Sequence, residues 1–306
     1  MAFSERLRDG SVVLQAVVSR EVPRAVSVGV EIENGDYLAA LLDEMHRELG
    51  VRERRCVFAV GSHIASLRVM RMPRMSWVER RRAAHFEAER FAHANLEEAD
   101  LQVRVHPVDR AGGLYAVGVV QRSVLASRCA VLRASRLRAV AADHEAFALR
   151  RAFPRAEAVL DIAAERTTLH SYGAHGSASS SVPFGGAVVT SGIARELGIE
   201  SELAERRKRI LGSAGAGLAA REELVAQVAA LVERARSRAP MTSLVLTGNG
   251  TRLPGLAGEI ETASEVRVEM PVSSLLDTQK YPDDVLRAAG PDWSLAAALT
   301  QWSLVE

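Results

Sequence analysis

Cysteine is nearly absent. Cys56 and Cys129 are the only two in 306 residues, and neither stands in a CxxC or His-linked spacing. That excludes a disulfide-stapled framework and a Cys/His zinc site, and fits a reduced compartment. Aromatic residues are scarce as well, at 5%, so the stacking faces that a single-strand nucleic-acid binder needs are missing. A formal net charge of +1 leaves no excess of either sign for holding a polyanion. No apolar run approaches the length of a membrane span, and the first 20 residues lack the apolar core of a signal peptide. A soluble protein, held at any membrane only by a partner, is the expectation. No G-x-S-x-G elbow and no Walker A sequence occurs, and Ser179-Ser180-Ser181 has no matching His/Asp arrangement.

What is present is an ordinary globular composition, 48% hydrophobic, in a chain long enough for two compact subdomains. Residues 11–18 and 26–32 read as strands, and 36–49 as an amphipathic helix. In that helix Leu38, Leu41, Leu42, Met45 and Leu49 recur at helical spacing and Gly50 marks the stop. Strands at 55–60 and 64–70 lead past Pro73 into a charged helix over 76–94. A strand pair follows at 101–107 and 114–121, joined by a loop containing Gly112-Gly113, then a helix at 123–134, a strand at 137–142 and a helix at 144–152. Pro154 marks a boundary. Asp143-His144-Glu145 reads as a helix start with Asp143 as N-cap, because adjacent helical residues point apart and make a poor acid/base or metal cluster. Arg80-Arg81-Arg82 shares its helix with Glu79, Glu87 and Glu89, a mixed solvated face.

The second half opens on the most informative stretch, residues 159–186. An apolar run ends in Asp161, a turn leads to Thr167-Thr168-Leu169, and a Gly/Ser-rich loop leads to a third strand closing on Pro183-Phe184-Gly185-Gly186. That is a β-hairpin with an acidic residue at its turn, followed by a helix start. Helices at 187–197, 201–211 and 221–236 come next, the last with Leu224, Val228, Leu231 and Val232 on one stripe. Leu244-Val245-Leu246-Thr247-Gly248-Asn249-Gly250 then forms a strand broken by a glycine pair, a pattern that lets backbone approach a ligand closely. A final helix is expected at 294–304, with Trp293, Leu295, Leu299, Trp302 and Leu304 but no basic face. Strands alternating with helices predict an α/β architecture throughout.

Four blocks in order resemble the type IV pilus assembly protein PilM family, relatives of the cell-division protein FtsA. They are residues 68–91, with Glu87-Ala88-Glu89; residues 141–153; the Asp161 hairpin with Pro183-Phe184-Gly185-Gly186; and the strand ending in Gly248-Asn249-Gly250 with Leu253-Pro254-Gly255-Leu256. The resemblance implies an actin-like fold of two halves, residues 1–154 and 155–306, with a small α/β subdomain inserted in the first half at about 36–120. It also implies a cytoplasmic platform beneath a pilus machine, a homo-oligomer or ring, that binds the N-terminal tail of a bitopic PilN-like membrane protein and meets the assembly motor. Family members bind ATP in the cleft with little or no turnover.

An actin-type site clamps the triphosphate between two hairpins, each with an Asp toward Mg²⁺ and turn amides toward phosphate oxygens. The family's first hairpin, with its D-x-G-S/T turn, has no counterpart here. The chain begins at the family's second strand, or its start is assigned too far downstream, and Asp9-Gly10-Ser11 reads as a tight turn between ordinary strands. In the second hairpin the family's D-I-G is Asp161-Ile162-Ala163, where a methyl hinders close approach, and Glu165 brings a carboxylate toward the γ-phosphate position. Asp161 is either a retained Mg²⁺-side carboxylate or a turn residue. The adenosine side is better kept. Glu205 and Lys208 match the family's A-E-x-x-K helix, and Gly248, Asn249 and Gly250 keep the close-approach positions. Thr167, Gly185 and Gly186 complete the implied cofactor set.

The leading expectation is therefore a non-enzymatic scaffold, a pseudo-ATPase with no metal site. An ATP-binding ATPase or an FtsA-like division protein is the alternative. The partner tail is expected around the strand at 64–70 and the helix at 76–94, with Leu67, Val69, Met70, Met72 and Trp77 lining its groove.

Overall fold

The computed structural model describes residues 1–6, 12–28, 30–91, 101–108, 113–173, 176–270 and 292–302. The turn at Asp9-Gly10-Ser11, Gly112, the end of the helix expected over 76–94 and the last residues of the final helix lie outside them. The chain divides into two units. One is Met1–Arg151 with Ala174–Ala178 and Leu295–Glu306; the other is Ala152–Gly173 with Ser179–Ser294.

The first unit opens with an antiparallel hairpin of β1 (Ala2–Arg6) and β2 (Val12–Val17). In place of one strand at 26–32 there are two two-residue strands, β3 (Ser27–Val28) and β4 (Glu31–Ile32), which pair with each other. Helix α1 (Gly35–Leu49) starts where Asn34 Oδ1 accepts the Tyr37 amide at 2.9 Å, and stops at Gly50 in the left-handed region, φ +68°. Next, β5 (Arg55–Val60) runs parallel to a later strand, and β6 (Ala65–Arg71) leads to α2 (Trp77–Glu89). Ser76 and Glu79 cap α2 reciprocally, side chain to backbone in both directions. Then come β7 (Leu101–Pro107), β8 (Leu114–Gln121), α3 (Arg122–Ala134), β9 (Arg138–His144) and α4 (Glu145–Ala152). β5 pairs with β9 in parallel. β6, β8 and β7 form a separate antiparallel sheet in that order, with β8 central. Its core joins Met72, Val103, Val105, Tyr115, Val117 and Val119 to Ala84 and Ala88 of α2.

One sequence expectation fails here. Asp143 does not cap α4. It lies in β9, its carboxylate pairs with Arg151 on the second turn of α4, and His144 Nδ1 accepts the Ala146 amide at 3.2 Å instead. The strand runs to His144, two residues further than its pattern implied, so the capping position falls on the imidazole. Glu145 turns back to accept the Ser62 amide at 2.7 Å, which ties α4 to the β5–β6 turn.

The second unit holds a five-stranded sheet in the order β12-β11-β10-β13-β14. β10 (Ala158–Ile162) pairs antiparallel with β11 (Thr167–Gly173) and parallel with β13 (Ser243–Thr247), which in turn runs parallel to β14 (Arg267–Glu269). β12 (Gly176–Val182) forms the edge beyond β11. Val159, Leu160, Val245 and Leu246 are all at most 5% exposed. Successive residues point to opposite faces of a strand, so both faces of this sheet are covered, which is why its central strands read as continuous apolar runs. The face carrying Leu160, Ile162, Leu244 and Leu246 packs on α5 (Gly186–Leu197), α6 (Ser201–Leu211), α7 (Leu218–Arg236) and α8 (Leu256–Ser264). A final helix, α9, spans residues 292–299.

Arg221, on the first turn of α7, is buried and fully used. Its guanidinium donates to Glu259 of α8 at 2.8 Å, to Ser213 at 3.1 Å and to the Pro254 carbonyl at 2.6 Å. Arg221→Met keeps the volume but strips buried acceptors of their donor. It should lower stability by about 2 kcal/mol, read as a lower urea midpoint at constant slope. A change under about 0.5 kcal/mol would show the bridge to be idle.

Candidate functional site

Every candidate cofactor residue lies in the second unit, and the fold gathers them at one end of β10 and β13. Asp161 is the penultimate residue of β10, and the turn closes with the Ala163 amide donating to the Arg166 carbonyl at 3.0 Å. The start of α5 comes down on that turn. Gly186 N–H donates to the Ala163 carbonyl at 2.9 Å and Ala187 N–H to the Ala164 carbonyl at 2.7 Å. A Cβ on Gly185 would stand 2.4 Å from the Ala163 carbonyl oxygen, so only glycine fits. The first amides of a helix have no intrahelical acceptor and make a natural anion site; here two of them are spent on the turn. Thr167 is buried, its hydroxyl donating to the Phe184 carbonyl at 2.7 Å, a structural tie between β11 and the chain entering α5.

Gly248 and Gly250 meet β10 in the same way. Gly248 has φ +87°, and a Cβ there would lie 2.6 Å from both Asp161 Oδ1 and the Ile162 carbonyl. One on Gly250 would lie 2.2 Å from Ile162 Cγ2. The close approach that the glycine pair permits is to the protein's own strand. Thr247 donates to Asp161 Oδ1 at 3.1 Å. Burial pushes the Asp161 carboxyl well above the usual carboxylate range, and the Thr247 bond offsets only part of that.

Glu205 and Lys208 do come together. They face each other across one turn of α6 with nitrogen and oxygen 2.6 Å apart, and Lys208 Nζ also reaches Thr190 Oγ1 at 2.8 Å and the Gly186 carbonyl at 3.0 Å. Burial alone would raise the Glu205 carboxyl. Bonds from Lys208 and Thr190, with Arg209 behind them at 3.1 Å, hold it below its ordinary value.

Three partners escaped the sequence reading. Asp292, at the start of α9, forms an ion pair with Arg252, and the Asn249 amide donates to both its carboxylate oxygens at 3.2 Å. Burial pushes Asp292 up to about 6. Arg252 and Arg209 pull it down, and Asp161 adds to the rise. Arg209 thus connects the Glu205–Lys208 pair to the Asp161–Asp292 side. Pro291 before a helix was the one local signal at Asp292.

As they stand, these residues do not fit a triphosphate on this half. The Ala163, Gly186 and Ala187 amides and the Lys208 ammonium already have acceptors, and each would exchange one for a phosphate oxygen.

The candidate partner-binding residues, all in the first unit, are brought together only in part. Met72 is core and Met70 packs against it, on the α2 side of the sheet. Strand alternation puts Leu67 and Val69, both half-buried, on the opposite face. Trp77 stands at the other edge, beside Val103 and Val105 of β7.

A family model described as type IV pilus assembly protein PilM matches residues 1–300. No curated protein matches the chain. Among solved structures, a PilM-PilN type IV pilus biogenesis complex aligns over 96% of this chain and 93% of that one, with a TM-score of 0.85 at 23% identity. The ethanolamine utilization protein EutJ from Carboxydothermus hydrogenoformans aligns over 90% and 77%, with a TM-score of 0.58 at 14% identity. At these identities the likeness establishes the fold, which is α/β and actin-like as expected.

Gly250→Ala should cost about 1–3 kcal/mol by overpacking, and that cost should be smaller in an Ile162→Ala background, which removes Cγ2. Equal stability of Gly250→Ala and wild type would refute the tight seat. Asp292 is an acid whose folded pKa is raised, so the folded state binds its proton more tightly than the unfolded one. Its contribution is therefore most favourable below the unfolded value, and is lost as the pH rises from there through about 6. The stability of Asp292→Asn relative to wild type should rise across that window, by urea denaturation at several pH values. A flat difference would contradict the assignment.

Proposed function

The chain belongs to the type IV pilus assembly protein PilM family, whose model covers residues 1–300, and we propose that it is a non-enzymatic scaffold of a pilus or related secretion platform. It sits at the cytoplasmic face of the inner membrane, held there by the cytoplasmic tail of a PilN-like protein, and meets other platform or motor components. The observation that carries this reading is the family match across nearly the whole chain. The likeness to a solved PilM-PilN complex supports the partner class. Among the described residues no helix is long and apolar enough to cross a membrane.

Phosphate donors committed to the protein's own carbonyls, and Lys208 committed to Glu205, support a scaffold over an ATPase. The tail is placed against β6, an edge strand of the small sheet, by peptide addition over Leu67 and Val69. The chain alone should bind a synthetic peptide of the PilN-like tail, and Leu67→Glu should weaken that binding at least tenfold, about 1.4 kcal/mol, by calorimetry. Unchanged affinity would displace the tail from β6, and no binding by the wild type would contradict the partner class.

A further inference from the structure

The small sheet has a second edge, and the function proposed above does not use it. β7 pairs with β8 on one side only among the described residues, so its outer row of amides and carbonyls faces no strand. Helix α2 buries Ala84 and Ala88 against the sheet and leaves its flank beside this edge exposed. Trp77, on the first turn of α2 beside this edge, is 55% exposed, and an exposed tryptophan at a strand edge suits an interaction surface.

A cavity of about 170 Å³ lies between α2 and β7, walled by Trp77, Arg81, His85, Val103 and Arg104. The adjoining outer face of α2 carries Arg82 and Glu89. Glu89 is the one carboxylate among these residues, against Arg81, Arg82 and Arg104. Glu79 tempers Arg82, and Arg104 gives one bond to the Val103 carbonyl. Arg81 has no acidic partner among the described residues.

We propose that this groove takes an extended acidic peptide segment of a partner protein, added as a strand to β7, with its apolar side chains over Trp77 and its carboxylates on Arg81 and Arg104. The open strand edge supplies a ladder that lipid cannot, because hydrocarbon leaves strand amides and carbonyls unpaired. A second copy docked edge to edge would set Arg81 and Arg104 against their own equivalents. An acidic strand meets both the charge and the hydrogen bonding.

The test uses the full chain and a fluorescent peptide of about seven residues, the length of an ordinary strand, alternating glutamate with valine or leucine. Anisotropy should report saturable binding that weakens at least tenfold in Arg81→Glu and again in Trp77→Ala, and weakens as salt rises. N-methylation at alternate peptide residues should abolish it, and a peptide with lysine in place of glutamate should not bind. Leu67→Glu, on the opposite edge, should leave the affinity unchanged, so failure of the PilN-like tail site and failure of this groove read separately. Equal binding of the lysine peptide, indifference to Arg81→Glu or to N-methylation, or a loss in Leu67→Glu would each overturn the proposal. So would Arg81-dependent binding to phosphatidylglycerol vesicles in the absence of peptide binding.

Discussion

At the end of β10, backbone approaches backbone more closely than any side chain would permit. Gly185 lies against the Ala163 carbonyl, Gly248 against Asp161 and the Ile162 carbonyl, and Gly250 against the Ile162 side chain. These contacts fix the start of α5 and the end of β13 relative to the β10–β11 turn. Everything else in the candidate site hangs from those anchors: Lys208 reaches the Gly186 carbonyl because α5 is held there, and Asn249 faces Asp292 because β13 ends there. A loop built to cradle phosphate keeps its amides unpaired and its glycines next to open space. Here the glycines are retained for the opposite reason, to let the protein close on itself.

The electrostatics follow the packing. A lysine in a nucleotide site is useful when its ammonium is short of acceptors, whereas Lys208 has a carboxylate, a hydroxyl and a carbonyl within 3.0 Å. Burial raises both aspartates, and Asp161 adds to the rise of Asp292. Asp292 is rescued in part by Arg252 and Arg209, Asp161 only by a hydroxyl. Such a cluster stores its charges internally, and its pH response is one of stability, with no ligand needed.

Local chemistry was legible in the sequence; long-range pairing was not. The Asp161 hairpin, the glycine-broken strand, the helix with Glu205 and Lys208 one turn apart, and the stop at Gly50 all rest on residues within a few positions of one another. Asp292 finds Arg252 and Asn249 across some forty residues of chain, and no periodicity encodes that meeting. Asp143 misled because a strand running two residues longer moves the cap to His144. Trp77 was grouped with Leu67 and Val69 because they are close in sequence. The order β6-β8-β7 puts consecutive strands at opposite edges and sends Trp77 to the far one. The family resemblance was legible because it rests on the order of several local blocks, each weak alone.

A calorimetric titration of the folded chain with Mg²⁺-ATP tests the proposed scaffold role. With the site closed, no saturable heat and no thermal stabilisation should appear at millimolar nucleotide. Binding at micromolar levels would stabilise the chain by about 2.7 kcal/mol at a hundredfold excess over Kd, a shift too large to miss. It would mean that nucleotide displaces the bonds around Lys208 and α5, and the scaffold reading would fall in favour of a nucleotide-binding protein.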